Sequence, residues 1–263
     1  MLKLAITGKG GVGKTTLSAL MAHVFAEQGQ RVLAIDADPA MGLAAACGVP
    51  PEEAEAITPV AEMEDLIYER TGARKGEIGG FFKLNPRVDD IPERFAVSPP
   101  EVQGKDGIRI LTMGTVKTGG TGCLCPENAL LRSLVTHLLL QRDEVLILDM
   151  EAGVEHLGRG TAGEVDAFIV VVEPGRRSIQ TAHTIHGLAA DLGIQRVYAV
   201  GNKVASESDE AFIREQLPGF EILGFLPSDV KAIDADRTGA AVYTEAPELV
   251  ERARGIVARL NTA

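Results

Sequence analysis

The stretch Gly8-Lys9-Gly10-Gly11-Val12-Gly13-Lys14-Thr15-Thr16 (GKGGVGKTT) follows directly on the apolar run LKLAIT at residues 2–7 and decides the fold. It fits the pattern G-x-x-x-x-G-K-[ST], with a strand signal before it and a helical pattern after it. The glycines let backbone N–H groups turn inward and approach phosphate oxygens closely. The start of the following helix adds a favourable dipole for an anion. Lys14 is placed to reach the β- and γ-phosphates, and the Thr15 hydroxyl to ligate Mg²⁺. All nine residues, Gly8 to Thr16, are therefore candidates for binding a nucleotide.

Six further apolar runs lie downstream: RVLAID (31–36), GIRIL (107–111), EVLILDM (144–150), AFIVVVEP (167–174), RVYAVGN (196–202) and EILGFLP (221–227). They are apolar nearly throughout instead of alternating, as strands of a parallel sheet covered on both faces are. Helical patterns at 14–29, 126–142, 177–192 and 205–216 separate most of them. The alternation predicts a doubly wound α/β domain, a single mostly parallel sheet with helices on both faces. We expect one domain over 1–263, elaborated at about 50–107. That segment is charged, rich in Pro and Gly, and carries one predicted helix around 60–72. A last helix at about 246–260 gathers Leu249, Val250, Ala253, Ile256, Val257 and Leu260 on one stripe. It has few large apolar residues, so docking onto the core is expected in preference to membrane anchoring.

Of the 263 residues 45% are hydrophobic, enough for a sizeable core. The net charge of −11 argues against a nucleic-acid partner, which would call for a basic face, and against acidic membranes. No basic n-region follows Met1, and no apolar run approaches the ~18 residues that span a bilayer. The chain has three cysteines, an odd and small count that fits a reducing cytoplasm, the expected location. Close cysteine pairs in that setting are more often metal or redox sites than structural disulfides.

Lys9 is a second lysine within the phosphate loop. With it, the KGGVGKT sequence resembles the deviant Walker A loop of the MinD/ParA/nitrogenase iron protein class of dimeric ATPases. DADPA at 36–40 and DMEAG at 149–153 extend the resemblance over nearly the whole chain. The resemblance implies that Lys9 crosses a subunit interface to the partner's phosphates. It implies that Asp38 positions or activates the attacking water, with Asp36 a weaker candidate for which helix capping is the plainer role. Asp149 becomes the Walker B carboxylate, acting on Mg²⁺ through water, and Gly153 a sensor of the γ-phosphate. GNKV at 201–204 is similar to the guanine-reading N-K-x-D, but Ala205 stands where the Asp would be. ATP is thus favoured over GTP, with Asn202 and Pro227 (in LPSD, 226–229) on the adenine side by the same resemblance.

KTGGTGCLCPENALLR (117–132) places Cys123 and Cys125 one residue apart, just before Pro126. Pro suits the first position of a helix, so Cys125 should stand at a helix start, where thiolate is favoured over thiol. Two thiolates do not close a four-coordinate site. In a face-to-face dimer of this class, two copies of the pair would supply four. Cys47, after PAMGLAAA, reads as a small buried hydrophobe. Four thiolates suit Zn²⁺, an iron–sulfur cluster or square-planar Ni²⁺. The GCLCPENALLR segment with the deviant loop resembles CooC-type accessory ATPases of carbon monoxide dehydrogenase and acetyl-CoA synthase maturation. That resemblance implies an ATP-driven homodimer holding Ni²⁺ (or Zn²⁺) at shared cysteines and passing it to the target enzyme. Two other functions compete: a spatial-organising ATPase of the MinD/ParA kind, and an electron-transfer ATPase carrying an iron–sulfur cluster.

Overall fold

A computed structural model of the chain describes residues 2–74, 81–100, 107–115, 125–151 and 164–262. In chain order its elements are β1 (Lys3–Gly8), α1 (Lys14–Glu27), β2 (Val32–Ala37), α2 (Leu43–Ala46) and α3 (Pro51–Glu55). A 3₁₀ turn (Val60–Glu62), α4 (Glu64–Thr71), α5 (Ile91–Phe95), β3 (Ile108–Thr112), α6 (Pro126–Gln141) and β4 (Val145–Met150) follow. The remainder is β5 (Ala167–Val172), α7 (Arg176–Asp191), β6 (Val197–Val204), α8 (Glu207–Gln216), β7 (Glu221–Pro227), α9 (Val230–Thr238), α10 (Val242–Glu245) and α11 (Pro247–Leu260).

The seven strands form one sheet in the order β3-β2-β4-β1-β5-β6-β7, and every neighbouring pair is parallel. Successive residues of a strand point to opposite faces. Leu4 and Ile6 therefore join the cluster beneath α1, α10 and α11, while Ala5 joins the one beneath α4 and α6. Val170 and Ala199 pack with α7 and α8 in a third cluster. Both faces being covered, β2, β4 and β5 are buried at every position, which is why their sequences carry no alternation. The edge strand β7 is only partly buried, with Glu221 exposed.

This topology locates the site. The chain leaves β1 for β2 on one side and later builds β5, β6 and β7 on the other. The crevice at the carboxyl end of β1 is thus the switch point where ligands of such sheets bind. The described part of the 50–107 segment packs on one flank. Leu66 and Ile67 of α4 are buried in the α6 cluster, and Arg70 is joined to Asp90 at 2.7 Å. Val97 bridges antiparallel to Ile110, so the outer edge of β3 is partly covered. Helix α11 docks as expected: all six stripe residues are buried, against α1 and β7. No helix among the described residues is long and apolar enough to cross a membrane.

Candidate nucleotide and metal site

The loop between β1 and α1 has its shape because three of its residues, Gly8, Gly11 (φ 77°) and Gly13, take positive φ. Gly8 has φ 149° and Gly13 has φ 96°. A Cβ on Gly8 would run into the Val171 carbonyl oxygen of β5, and one on Gly13 into the Asn202 carboxamide. At Gly10 and Gly11 a Cβ would meet nothing within 4 Å, so the loop borders an opening there. Helix α1 starts with no side-chain cap, leaving its first N–H groups available to an anion in that opening. From β6, Asn202 Nδ2 donates to the Val12 carbonyl at 2.7 Å and Lys203 Nζ donates to the Gly11 carbonyl. Asn202 Oδ1 also accepts from the Lys203 backbone N–H at 2.9 Å. The carboxamide is thus engaged with the loop, and it is only 6% exposed. Pro227 lines a 420 Å³ depression with Asp229, Val230, Lys231 and Pro247 at the carboxyl end of β7, roomy enough for a nucleobase.

Three carboxylates converge beside the loop because of strand register. Asp36 of β2 pairs with Asp149 of β4, which pairs in turn with Ile6 of β1. Asp149 is fully buried, and neither of its oxygens has a well-formed hydrogen bond. Burial is the main reason its pKa is pushed up to about 7; the Thr15 hydroxyl and Lys14 work the other way, Asp36 and Asp38 in the same direction. Orphaned carboxylate oxygens close to a threonine hydroxyl are a fitting donor set for a hard divalent cation such as Mg²⁺. Thr15 and Asp149 would hold it, and the cation would supply positive charge against the phosphate oxygens. Asp36 is equally hidden, but it accepts from the Leu43 N–H at 2.9 Å and the Asp38 N–H at 3.2 Å. Burial raises its pKa to about 6 against those bonds. Its work is to pin the loop that carries Asp38, the capping role weighed for it from the sequence.

Asp38 and Lys14 face one another, with Nζ 3.3 Å from Oδ2. Lys14 is 5% exposed, and its buried charge is partnered in the ligand-free chain by this carboxylate. A phosphate entering the loop would compete with Asp38 for this lysine, and a carboxylate released beside a bound phosphate can orient water. The Asp38→Ala variant is accordingly expected to bind Mg²⁺·ATP and to turn it over about 10²-fold more slowly. Single-turnover kinetics check this, and a parental rate would reduce Asp38 to a turn-forming residue, for it also accepts from the Ala40 N–H at 2.9 Å.

Lys9, on the outer corner of the loop, is ion-paired within its own chain to Glu173 at 2.7 Å. Sequence reasoning missed Glu173, and it missed Lys203. No spacing signals either, since their partners lie 164 and 192 residues away. Met41 and Lys203 are the two non-glycine residues with positive φ among the described residues, at 41° and 57°. Both flank this site, where strained backbone tends to gather.

Cys125 stands at the N-cap of α6, with Pro126 in the first turn. Its carbonyl accepts the first helical hydrogen bond from Ala129 at 3.1 Å. Behind it Leu130, Leu134 and Leu138 are buried, so the helix is a firm support. Glu127, in the first turn of α6, is also buried, and its Oε2 has no partner. Cys123 and Gly153 lie outside the described residues. Cys47 is fully buried in the core under α1, and burial drives its thiol pKa far up. It fills space, as its sequence setting suggested.

A family model described as the CobQ/CobB/MinD/ParA nucleotide binding domain matches residues 3–242. The carbon monoxide dehydrogenase accessory protein CooC of Rhodospirillum rubrum is 47% identical over 98% of this chain and 96% of its own length. An uncharacterized ATP-binding protein of Methanocaldococcus jannaschii is 45% identical over 92% of this chain and 91% of its own. Among solved structures, the MinC:MinD cell division complex of Aquifex aeolicus aligns with TM-score 0.71 at 21% identity, covering 100% of this chain and 96% of that one. MinD of Pyrococcus horikoshii with Mg-ADP aligns with TM-score 0.66 at 18% identity, over 99% and 96%. The two structural likenesses speak to the fold alone.

Proposed function

The chain belongs to the CobQ/CobB/MinD/ParA nucleotide-binding family as a CooC-like ATPase, and from that premise we propose that it is a metallochaperone in carbon monoxide dehydrogenase or acetyl-CoA synthase maturation. ATP and Mg²⁺ draw two copies together. The copies hold Ni²⁺ or Zn²⁺ between them as cargo, and hydrolysis to ADP and phosphate opens the pair to release the metal to the target enzyme. The observation that carries this reading is Cys125 at the N-cap of a buried helix, in a Cys-x-Cys-Pro sequence, within a chain that otherwise has the parts of a P-loop ATPase. The 47% identity to an accessory protein of carbon monoxide dehydrogenase supports the choice of target.

Roles follow residue by residue. Lys14 and the loop from Gly8 to Thr16 bind the β- and γ-phosphates, Thr15 holds Mg²⁺ directly and Asp149 through water, Asp38 orients water, and Gly153 senses the γ-phosphate. Asn202 and Pro227 bound the base. Lys9 reaches the partner's phosphates. Each acts by charge and position, which is most of what phosphoryl transfer requires. A spatial-organising role like that of MinD draws support from the fold but not from the last helix, whose apolar stripe is already spent on α1 and β7. An iron–sulfur role is tested by absorbance of anaerobically purified protein.

The nucleotide half of the proposal is tested with two lysine variants. Lys14→Ala should lose tight binding of both ATP and ADP, because it deletes the main charge on the phosphates. Lys9→Ala should bind ADP normally, yet lose ATP-driven dimerisation and most turnover. Titration calorimetry and sedimentation velocity separate the two, and a Lys9→Ala protein that dimerises and turns over like the parent would end the cross-subunit assignment.

A further inference from the structure

Lys9 is proposed above to act on another chain's nucleotide, yet here it is held at home. Its ammonium lies 2.7 Å from Glu173 Oε1, with side-chain exposures of 37% for the lysine and 26% for the glutamate. Glu173 is held at a fixed corner. It follows β5, the strand beside β1 in the sheet. Its backbone N–H donates to the hydroxyl of Ser178 at 3.1 Å, and Ser178 is itself buried in the first turn of α7. The Gly175 N–H donates to the Glu173 carbonyl at 2.7 Å. The carboxylate therefore stands where a tight strand-to-helix turn puts it. Its second oxygen lies 3.9 Å from Lys203 Nζ, the group that donates to the Gly11 carbonyl. One carboxylate thus sits between two ammonium groups, both attached to the phosphate loop: Lys9 by its own backbone, Lys203 by a hydrogen bond.

We infer that Glu173 is the positioning residue for Lys9. It parks the lysine against its own loop in the single chain and gives it up to the triphosphate of a second copy. This rests on the dimer reading above and adds to it the group that sets the threshold for pairing. The strength of the contact suits that task. A partly exposed lysine–carboxylate pair is worth roughly a factor of two to five, because water screens it and a flexible side chain must be ordered to make it. The γ-phosphate of a second copy carries more charge than a single carboxylate and lies in a loop lined with N–H donors, so it outcompetes Glu173 when present. ADP, lacking that phosphate, leaves the lysine where it is. Lys203 keeps its bond to the Gly11 carbonyl in either state and holds the loop's shape while Lys9 moves. A dimer opens two such latches, so their effects multiply.

The test uses the full chain with Mg²⁺ and a non-hydrolysable ATP analogue, in four forms: parent, Glu173→Gln, Glu173→Asp and Lys9→Ala. Sedimentation velocity over a protein dilution series gives the concentration at which half the chains are paired. Glu173→Gln keeps the shape and removes the charge, so its midpoint should fall to roughly fourfold to twenty-fivefold lower protein concentration, two latches at the factor above. Glu173→Asp keeps the charge and should stay near the parent. In turnover assays Glu173→Gln should keep the parental KM for ATP while reaching full kcat at lower protein concentration. ADP affinity and the thermal midpoint should match the parent; a role in holding the loop's fold would move those instead. A Glu173→Gln midpoint equal to or above the parent's, with Lys9→Ala failing to pair, overturns the role of Glu173 and leaves the dimer reading standing. Lys9→Ala pairing like the parent overturns both.

Discussion

Replacing Asp149 with Asn is expected to stabilise the ligand-free chain at pH 7 while cutting ATP turnover by about 10²-fold or more. The two effects have one cause. Asp149 is buried with both oxygens orphaned, and its pKa is about 7, raised chiefly by that burial. In the unfolded chain the same carboxylate titrates near its ordinary value of 3.8. Between about pH 4 and pH 7 the folded state therefore holds a proton that the unfolded state has released. Stability is full below that window and is lost as pH rises through it. Asp36, raised to about 6, contributes with the same sign over a narrower range. Asparagine carries no charge to desolvate, so at neutral pH the variant should gain roughly 1–3 kcal/mol, a few degrees of thermal midpoint for a chain of this size. It also loses the charge that would hold Mg²⁺ against the phosphates. Thermal unfolding from pH 5 to pH 8, without nucleotide, is the measurement. The parent should lose stability toward pH 8, and the variant should lose much less. Adding Mg·ADP should stabilise the parent more than the variant, since a bound cation supplies the missing counter-charge. A variant no more stable than the parent, with the same pH slope, would mean that Asp149 is not strained in the free protein.

Such strain is invisible in the sequence, and the reason is general for this chain. The seven apolar runs all became strands, and the pattern at 126–142 became α6 within a residue, because both signals are local. The register between strands is not local. DADPA offers two carboxylates, and the sequence ranks Asp38 above Asp36 by resemblance without showing where either one points. Only the pairing of Asp36 with Asp149 across β2 and β4 places one of them under the sheet's end and leaves the other facing Lys14. Helix α9 escaped notice because Val230 and Ile233 are exposed and little of its surface is apolar stripe. Helix α2 is four residues long, too short for a period to declare itself. In the 50–107 segment, α3 buries no residue and α5 follows a run of charged and proline residues, so neither carries the stripe that marked α6. The N-cap position of Cys125 was legible because Pro126 is itself a local rule. Glu173 shows the opposite limit: a salt bridge to Lys9 needs β5 beside β1, a fact of sheet order that no spacing encodes.

The proposed metal site gives the other large effect. Cys123→Ser and Cys125→Ser should each abolish tight binding of Ni²⁺ and Zn²⁺, and Cys47→Ala should not. Serine is a poor ligand for these ions beside thiolate, and half a thiolate set cannot be closed by the remaining cysteine. Cys47 is removed from contention by position: it is fully buried under α1, and its thiol is held protonated by that burial. The stoichiometry follows from arithmetic. If each chain brings two thiolates and a closed site takes four, one metal ion should be found per two chains. The stronger consequence is thermodynamic. Cys125 opens α6 and the phosphate loop opens α1, two separate elements of one chain, so a metal shared between copies and an ATP shared between copies are tied only through the act of pairing. If both ligands favour the paired state, each must tighten the binding of the other by the same factor. Zn²⁺ affinity measured with and without the non-hydrolysable ATP analogue, and analogue affinity measured with and without Zn²⁺, should shift by equal ratios. In Lys9→Ala the ratio should collapse toward one, because the nucleotide can no longer draw a second chain in. One metal bound per single chain, and kept when both Cys123 and Cys125 are serine, would put the ligands elsewhere and leave an ATPase without its proposed cargo. Equal stoichiometry but no reciprocal shift would keep the cargo and remove the switch: the metal would then bridge two chains whose nucleotides play no part in holding or releasing it.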